Sequence, residues 1–221
     1  MNAEKRFLKK EFPSRPEAIT EQKCWDYGDF AWHDFVTALP TPLFVVTGWK
    51  SNGKENASMQ SWATMVGGAP DNYVCIIGKV SKNGHMYQSL KETGVCVLNF
   101  FSEDTSEQCW KTIQNNQFET DEITASGLTA EKAIKVNAPR IRECFLNIEC
   151  ELIWEHELFE GSRDMTVALK AVHMCMDSER YDQSKLGRFG KTGYQFHIHC
   201  PTNPETGKED STGKITWEAS E

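Results

Sequence analysis

Apolar positions along this chain fall mostly into short runs of period two, separated by turn residues, a pattern that predicts strands joined by hairpins. From Pro42 to Trp49 the run LFVVTGW is β-branched and aromatic, and the Asn52-Gly53 pair that follows is a strong hairpin signal. Residues 56–66, NASMQSWATMV, form the return strand, and GGAPDN leads into a third strand, YVCIIGKV, from Tyr73 to Val80. Helical spacing then interrupts the alternation. In HMYQSLKETG, residues 85–94, Met86 and Leu90 lie one turn apart and Gly94 supplies a C-terminal stop. VCVLNFF, residues 95–101, reads as a buried strand, and residues 105–116 as a second helix. Residues 144–158, followed by RDMTVALKAVHMCMD, alternate long enough to predict two long antiparallel strands, with FHIHC as a last short one.

The flanks are polar. Residues 1–28, with Pro13 and Pro16, read as an N-terminal arm; DFAWHDFVTAL, residues 29–39, is a short helix stopped by Pro40 and Pro42. Residues 201–221 read as a polar C-terminal tail, which leaves residues 29–200 as one domain. The stretch EITASGLTAEKA has no clear period and is expected to wrap the surface. Many short strands and few helices predict a mainly β fold, an antiparallel barrel with peripheral helices.

Composition narrows the chemistry. With 221 residues, 39% of them hydrophobic, the chain can bury one substantial core. No run approaches the roughly 18 apolar residues of a membrane span, and the N-terminus has no apolar segment of the secretory kind, so a cytoplasmic protein is expected. Eight cysteines without a CxxC pair, several inside apolar runs, read as buried free thiols of a reducing compartment. A net charge of -8 disfavours nucleic acid and anionic membranes as partners and favours a small molecule. Any phosphate on that molecule must then be met by a local polar cluster.

Two segments offer such chemistry. Strict alternation puts Asn56, Ser58, Trp62 and Thr64 on one strand face and Ser61 on the other, so the strand must bulge to use them all. Trp62 reads either as a wall for a flat ligand or as core. Ser81, Lys82, Asn83 and His85 bring a hydroxyl, an ammonium, an amide and an imidazole to the start of a helix, which is either a phosphate cradle or an ordinary polar loop. His197 and His199 share a face beside Cys200, but without a fourth ligand they read as strand histidines, and no metal is expected. The Gly-rich basic run at residues 185–194 lacks the phosphate-loop order, and His156 lies on a charged face among Glu155, Glu157 and Glu160.

The order of these parts resembles the flavin reductase-like FMN-binding family, flavoredoxin-type members in particular, over roughly residues 38–175. The residues carrying the resemblance are Asn56, Ser61, Trp62, Ser81, Lys82, Thr93, Gly94, Val97, Leu98 and Asn99, whereas Met86 stands where the family often has a hydroxyl. The resemblance implies a Greek-key split barrel, a homodimer whose interface Trp25 to Phe35 could cover, and FMN held by Asn56, Ser58, Met59, Ser61, Trp62, Ser81, Lys82, Asn83 and His85, with Arg188 a further contact. It further implies an oxidoreductase that moves electrons from NADH or NADPH through flavin to free flavin or another acceptor. The alternative is a non-enzymatic FMN-binding electron carrier. The absence of a GxGxxG fingerprint does not count against a pyridine nucleotide, because the family stacks the nicotinamide on the flavin.

Overall fold

At Asn52-Gly53 the chain reverses as its turn residues require: Gly53 adopts φ +79° and its N–H reaches Lys50 O at 2.8 Å. The flanking strands β2 (Phe44–Trp49) and β3 (Glu55–Gln60) pair antiparallel, with Val46 opposite Ser58 and Gly48 opposite Asn56. The return strand expected over residues 56–66 is in fact two strands, β3 and β4 (Ala63–Gly68), broken at Ser61–Trp62. The reason lies in the partners. β3 pairs with β2, but β4 pairs with β5 (Asn72–Ser81), Ala63 lying opposite Ile77. At the break Ala63 N–H bonds Ser61 O at 2.8 Å and Gly78 N–H bonds Trp62 O at 2.7 Å, so this corner is pinned rather than loose.

The computed structural model describes residues 10–17, 32–181, 193–198 and 212–215. The chain divides into two compact units, Thr41–His197 with Thr212–Glu221, and Met1–Pro40 with Ile198–Ser211. In the larger unit a seven-stranded sheet runs β3-β2-β6-β9-β10-β5-β4, every pair antiparallel. Its two edge strands, β3 and β4, are consecutive in sequence. Three peptide steps from Gln60 to Ala63 reach at most about 11 Å, so the sheet must curl until its edges meet. The expected antiparallel barrel is thus present, split where Ser61 and Trp62 bridge the edges.

The remaining elements follow the sequence closely. Helix α2 (His85–Thr93) ends at Gly94, which takes φ +71° and returns its N–H to Leu90 O. It leads into β6 (Val95–Phe100), and α3 (Ser106–Gln114) follows. β9 (Leu146–Glu157) and β10 (Asp164–Met176) are the two long strands. One sheet face buries Phe44, Val46, Ile77, Leu98, Val167 and Leu169, together with Met86, Tyr87 and Leu90 of α2. The opposite face carries a second core of Val45, Ala57, Phe101, Ile123 and Ile141. Among the described cysteines, six are free thiols and five of these are buried; burial pushes the Cys75 thiol up to about 12 and raises Cys96 and Cys150 as well. Such thiols stay neutral and unreactive. Cys24 and Cys200 lie outside the described residues.

A second expectation is overturned. The stretch EITASGLTAEKA is no surface wrap: it contains α4 (Glu122–Ala125) and β7 (Ala130–Lys132), the latter paired with β8 (Pro139–Ile141), and Glu122 and Ile123 are fully buried. A helix of four residues is too short to display a period. Its start covers the open edge of β3, where Glu55 N–H bonds Asp121 Oδ1 at 3.1 Å and Ala57 N–H bonds Glu122 Oε2 at 2.6 Å. Within the expected tail, Thr212–Ile215 forms β12, antiparallel to β11 (Tyr194–Ile198). In the smaller unit the described helix is α1 (Trp32–Thr37), inside the segment where one was expected. No described helix is long and apolar enough to cross a membrane.

Candidate functional site

The nine residues expected to hold a flavin separate into three groups around the break between β3 and β4. The first gathers at the start of β3. Because Asn56 lies opposite Gly48 and Ser58 opposite Val46, both face the side where α2 packs, whereas Met59 packs with the second core on the other face. Asn56 is 2% exposed. With its amide oriented to satisfy both neighbours, it donates to Glu122 Oε2 at 3.2 Å and accepts from Met86 N–H at 3.2 Å, tying β3 to the first turn of α2. Lys50 completes the group: its ammonium donates to Gln117 O and Thr120 O at 2.7 Å and to Phe118 O at 3.3 Å, and forms an ion pair with Glu122 Oε1 at 2.7 Å. His85 Nδ1 lies 3.6 Å from Glu122 Oε1.

The second group sits on the break itself. Ser61 Oγ and His197 Nδ1 are 3.4 Å apart, and the His197 ring meets Trp62 and Trp110 edge-on at centroid distances of 6.3 and 6.4 Å. Lys79 Nζ lies 5.1 Å from the Trp62 ring centroid, within cation–π range. Trp62 is only half-buried, so its indole is not a core side chain. Both readings of Trp62 from sequence assumed an unbroken strand; at the corner it belongs to neither β3 nor β4.

The third group precedes α2. Ser81 and Asn83 are exposed, and the N-cap position of α2 is Gly84, which has no side chain to cap the helix; of the first-turn N–H groups, that of Met86 is taken by the Asn56 amide. A helix start whose N-cap residue is a glycine, flanked by a hydroxyl and an amide, suits an anion. Lys82 is turned the other way, toward the β9–β10 turn, where its ammonium pairs with the Glu157 carboxylate and donates to Ser162 O at 2.7 Å. That ammonium, together with the Gly161 N–H, holds the Glu157 carboxyl below its ordinary range.

Lys50, Glu122, Lys79 and Trp110 went unremarked in the sequence. Lys50 looks like a turn lysine after a strand, and Glu122 sits in the segment without a period. His197 was read as a strand histidine, which says nothing of its place beside Ser61 and Trp62; among the described residues no group of three or more His, Cys, Asp or Glu side chains is placed to hold a metal ion. His199 and Arg188 lie outside the described residues, as does most of Trp25 to Phe35. His85 also lines a cleft of about 310 Å³ between α2, the β2–β3 turn and Phe118.

Residues 36–188 match the family described as "Flavin reductase like domain". Nitrilotriacetate monooxygenase component B from Bacillus cereus shares the fold with a TM-score of 0.72 at 15% identity, covering 96% of this chain and 100% of that one. The flavoredoxin of Desulfovibrio vulgaris (Miyazaki F) does so with a TM-score of 0.63 at 19% identity, over 81% of this chain and 91% of its own. An uncharacterized protein of Methanothermobacter thermautotrophicus is 25% identical over 146 residues, 65% of this chain and 67% of that protein.

Proposed function

The chain belongs to the flavin reductase-like domain family, a family of flavin-related oxidoreductases, and from that premise we propose that it binds FMN and passes electrons from NADH or NADPH to free flavin or another acceptor. The observation that carries this reading is the break between β3 and β4. It leaves a half-buried indole, a hydroxyl and an imidazole at one corner of the barrel, and α2, two strands further along the chain, begins at a glycine N-cap with Ser81 and Asn83 exposed beside it.

Each group has a task in this reading. Trp62 walls the flat ring system, and Lys79, poised over the indole, keeps that wall in place. Ser61 and His197 present an adjoining hydroxyl and ring nitrogen able to bond polar ring edges. Ser81, Asn83 and the first turn of α2 receive the phosphate. Asn56 and Glu122 hold the start of α2 against β3, so the phosphate-binding turn keeps its place relative to the indole. When bound, the flavin supplies the hydride and electron chemistry; the protein contributes binding, orientation and electrostatics.

Exposed apolar side chains toward the β9–β10 turn, Ile153, Trp154, Leu158 and Phe159, favour a homodimer, with a second copy covering them. Light scattering at micromolar concentration tests this part, and a monomer that binds FMN tightly would remove it. For the function itself, FMN and riboflavin are titrated into the protein, followed by anaerobic NADH or NADPH. Tighter binding of FMN and bleaching of the flavin band are expected. Equal affinity for both flavins would remove the phosphate cradle, and FMN binding without bleaching would favour the electron-carrier alternative.

A further inference from the structure

We infer that the cleft between α2 and the β2–β3 turn receives the adenosine phosphate half of a dinucleotide. The inference deepens the flavin reading and rests on it for its setting. The cleft, about 310 Å³, stands at the lower end of small-molecule sites. Its wall is one face of α2: His85, Gln88, Ser89 and Glu92 follow one another at i, i+3, i+4 and i+7. Facing them is Phe118, 42% exposed, whose ring meets His85 at a centroid distance of 5.8 Å.

Each part of an adenosine phosphate finds a matching group. Phe118 offers an exposed aromatic face on which a base can stack. The Gln88 amide and Ser51 hydroxyl can bond a base edge, and the exposed Glu92 carboxylate can accept from a ribose diol. Lys91, also on the rim, supplies a cation for phosphate. Glu92 sets the selectivity as well, since a 2′-phosphate on the ribose would meet a carboxylate there.

His85 joins the cleft to the site already described: it lines the cleft and is also the first residue of α2, where the flavin phosphate is proposed to sit. A mononucleotide ends at that phosphate. A dinucleotide continues, and the cleft is the concavity next in line. Two molecules carry the required half, FAD as the flavin itself and NADH as the electron donor.

The test titrates the full-length protein, and its Phe118→Ala and Glu92→Gln variants, with 5′-AMP, FMN and FAD, and the FMN-loaded protein with NADH. Wild type should bind 5′-AMP, and FMN should not displace it. Phe118→Ala should weaken 5′-AMP about tenfold while leaving FMN unchanged, with Glu92→Gln acting in the same direction. Whichever of FAD and NADH weakens in parallel with 5′-AMP is the source of the adenosine phosphate. If FMN binds but neither variant alters 5′-AMP, FAD or NADH, this inference is wrong and the flavin reading stands. If no flavin binds at all, both fall. Melting temperatures of the unliganded variants guard against a folding defect, and Glu92→Gln, an isosteric change at an exposed position, serves if Phe118→Ala is unstable.

Discussion

Lys50–Glu122 and Lys82–Glu157 are chemically the same ion pair in different surroundings. The first has side chains 1% and 0% exposed, the second 33% and 44%. Burial removes both charges of the first pair from water, so the fold answers with further partners: three backbone carbonyls for the lysine, and the Ala57 N–H and Asn56 amide for the glutamate. The surface pair keeps its solvent and is screened by salt. The difference teaches where charge is structural. A buried pair cannot lose one member without stranding the other, whereas a surface lysine can exchange its carboxylate for an arriving phosphate.

The sharpest way to break the comparison is Lys50→Met, which leaves Glu122 buried without its cation and three acceptors without a donor. It should cost about 3–5 kcal/mol in urea unfolding. A midpoint equal to wild type would mean that the pair is solvated after all and that the contrast in burial does not matter.

A second carboxylate sharpens the point because no lysine is needed to hold it. Glu149 is 1% exposed and accepts the N–H groups of Ile134, Lys135 and Val136 at 2.9, 2.6 and 3.2 Å. Burial alone would raise its carboxyl; the three backbone donors outweigh that and bring it below the ordinary range. A depressed carboxyl contributes stability above its unfolded value, and that stability is lost as pH falls through the folded one. Glu149→Gln should therefore cost about 1–3 kcal/mol at neutral pH and flatten the acid limb of the stability profile. An unchanged acid limb would assign acid sensitivity to other carboxylates.

These two carboxylates also mark the limit of what the sequence tells. The strands, α2 and its glycine stop were legible because each is long enough to repeat a period or carries a turn residue with one backbone meaning. Glu122 was not, since a four-residue helix has no period and its glutamate closes the edge of a strand some 65 positions earlier in the chain. The break at Ser61–Trp62 was half legible. Alternation alone required a bulge if Ser61 and Asn56 were to serve one site, but nothing local says that the chain changes sheet edges there. Lys82 was picked out for standing beside a helix start, and its partner Glu157 lies across the barrel sequence, 75 positions on.

Trp62→Ala probes the corner between β3 and β4. A half-buried indole should cost less than the roughly 3–5 kcal/mol of a core aromatic, yet flavin affinity should fall about tenfold if the ring is stacked on it. A core-sized loss of stability with normal flavin binding by the folded fraction would move the wall elsewhere.

Lys82→Ala carries the smallest expected effect and the most direct reading of the surface pair. Lys82 now spends its charge on Glu157 and Ser162 O, so unliganded protein should lose little when it is removed, and its melting temperature should barely move. FMN affinity should fall only severalfold, because part of the gain from meeting a phosphate is spent in leaving the carboxylate. Glu157→Gln separates the possibilities. Without the competing carboxylate, Lys82 would be free to turn toward the phosphate, and FMN should bind tighter than in wild type, with the advantage shrinking as salt is added. If Lys82→Ala and Glu157→Gln both leave FMN affinity unchanged, Lys82 stays with the β9–β10 turn in the bound state, and the phosphate is held by Ser81, Asn83 and the start of α2 alone.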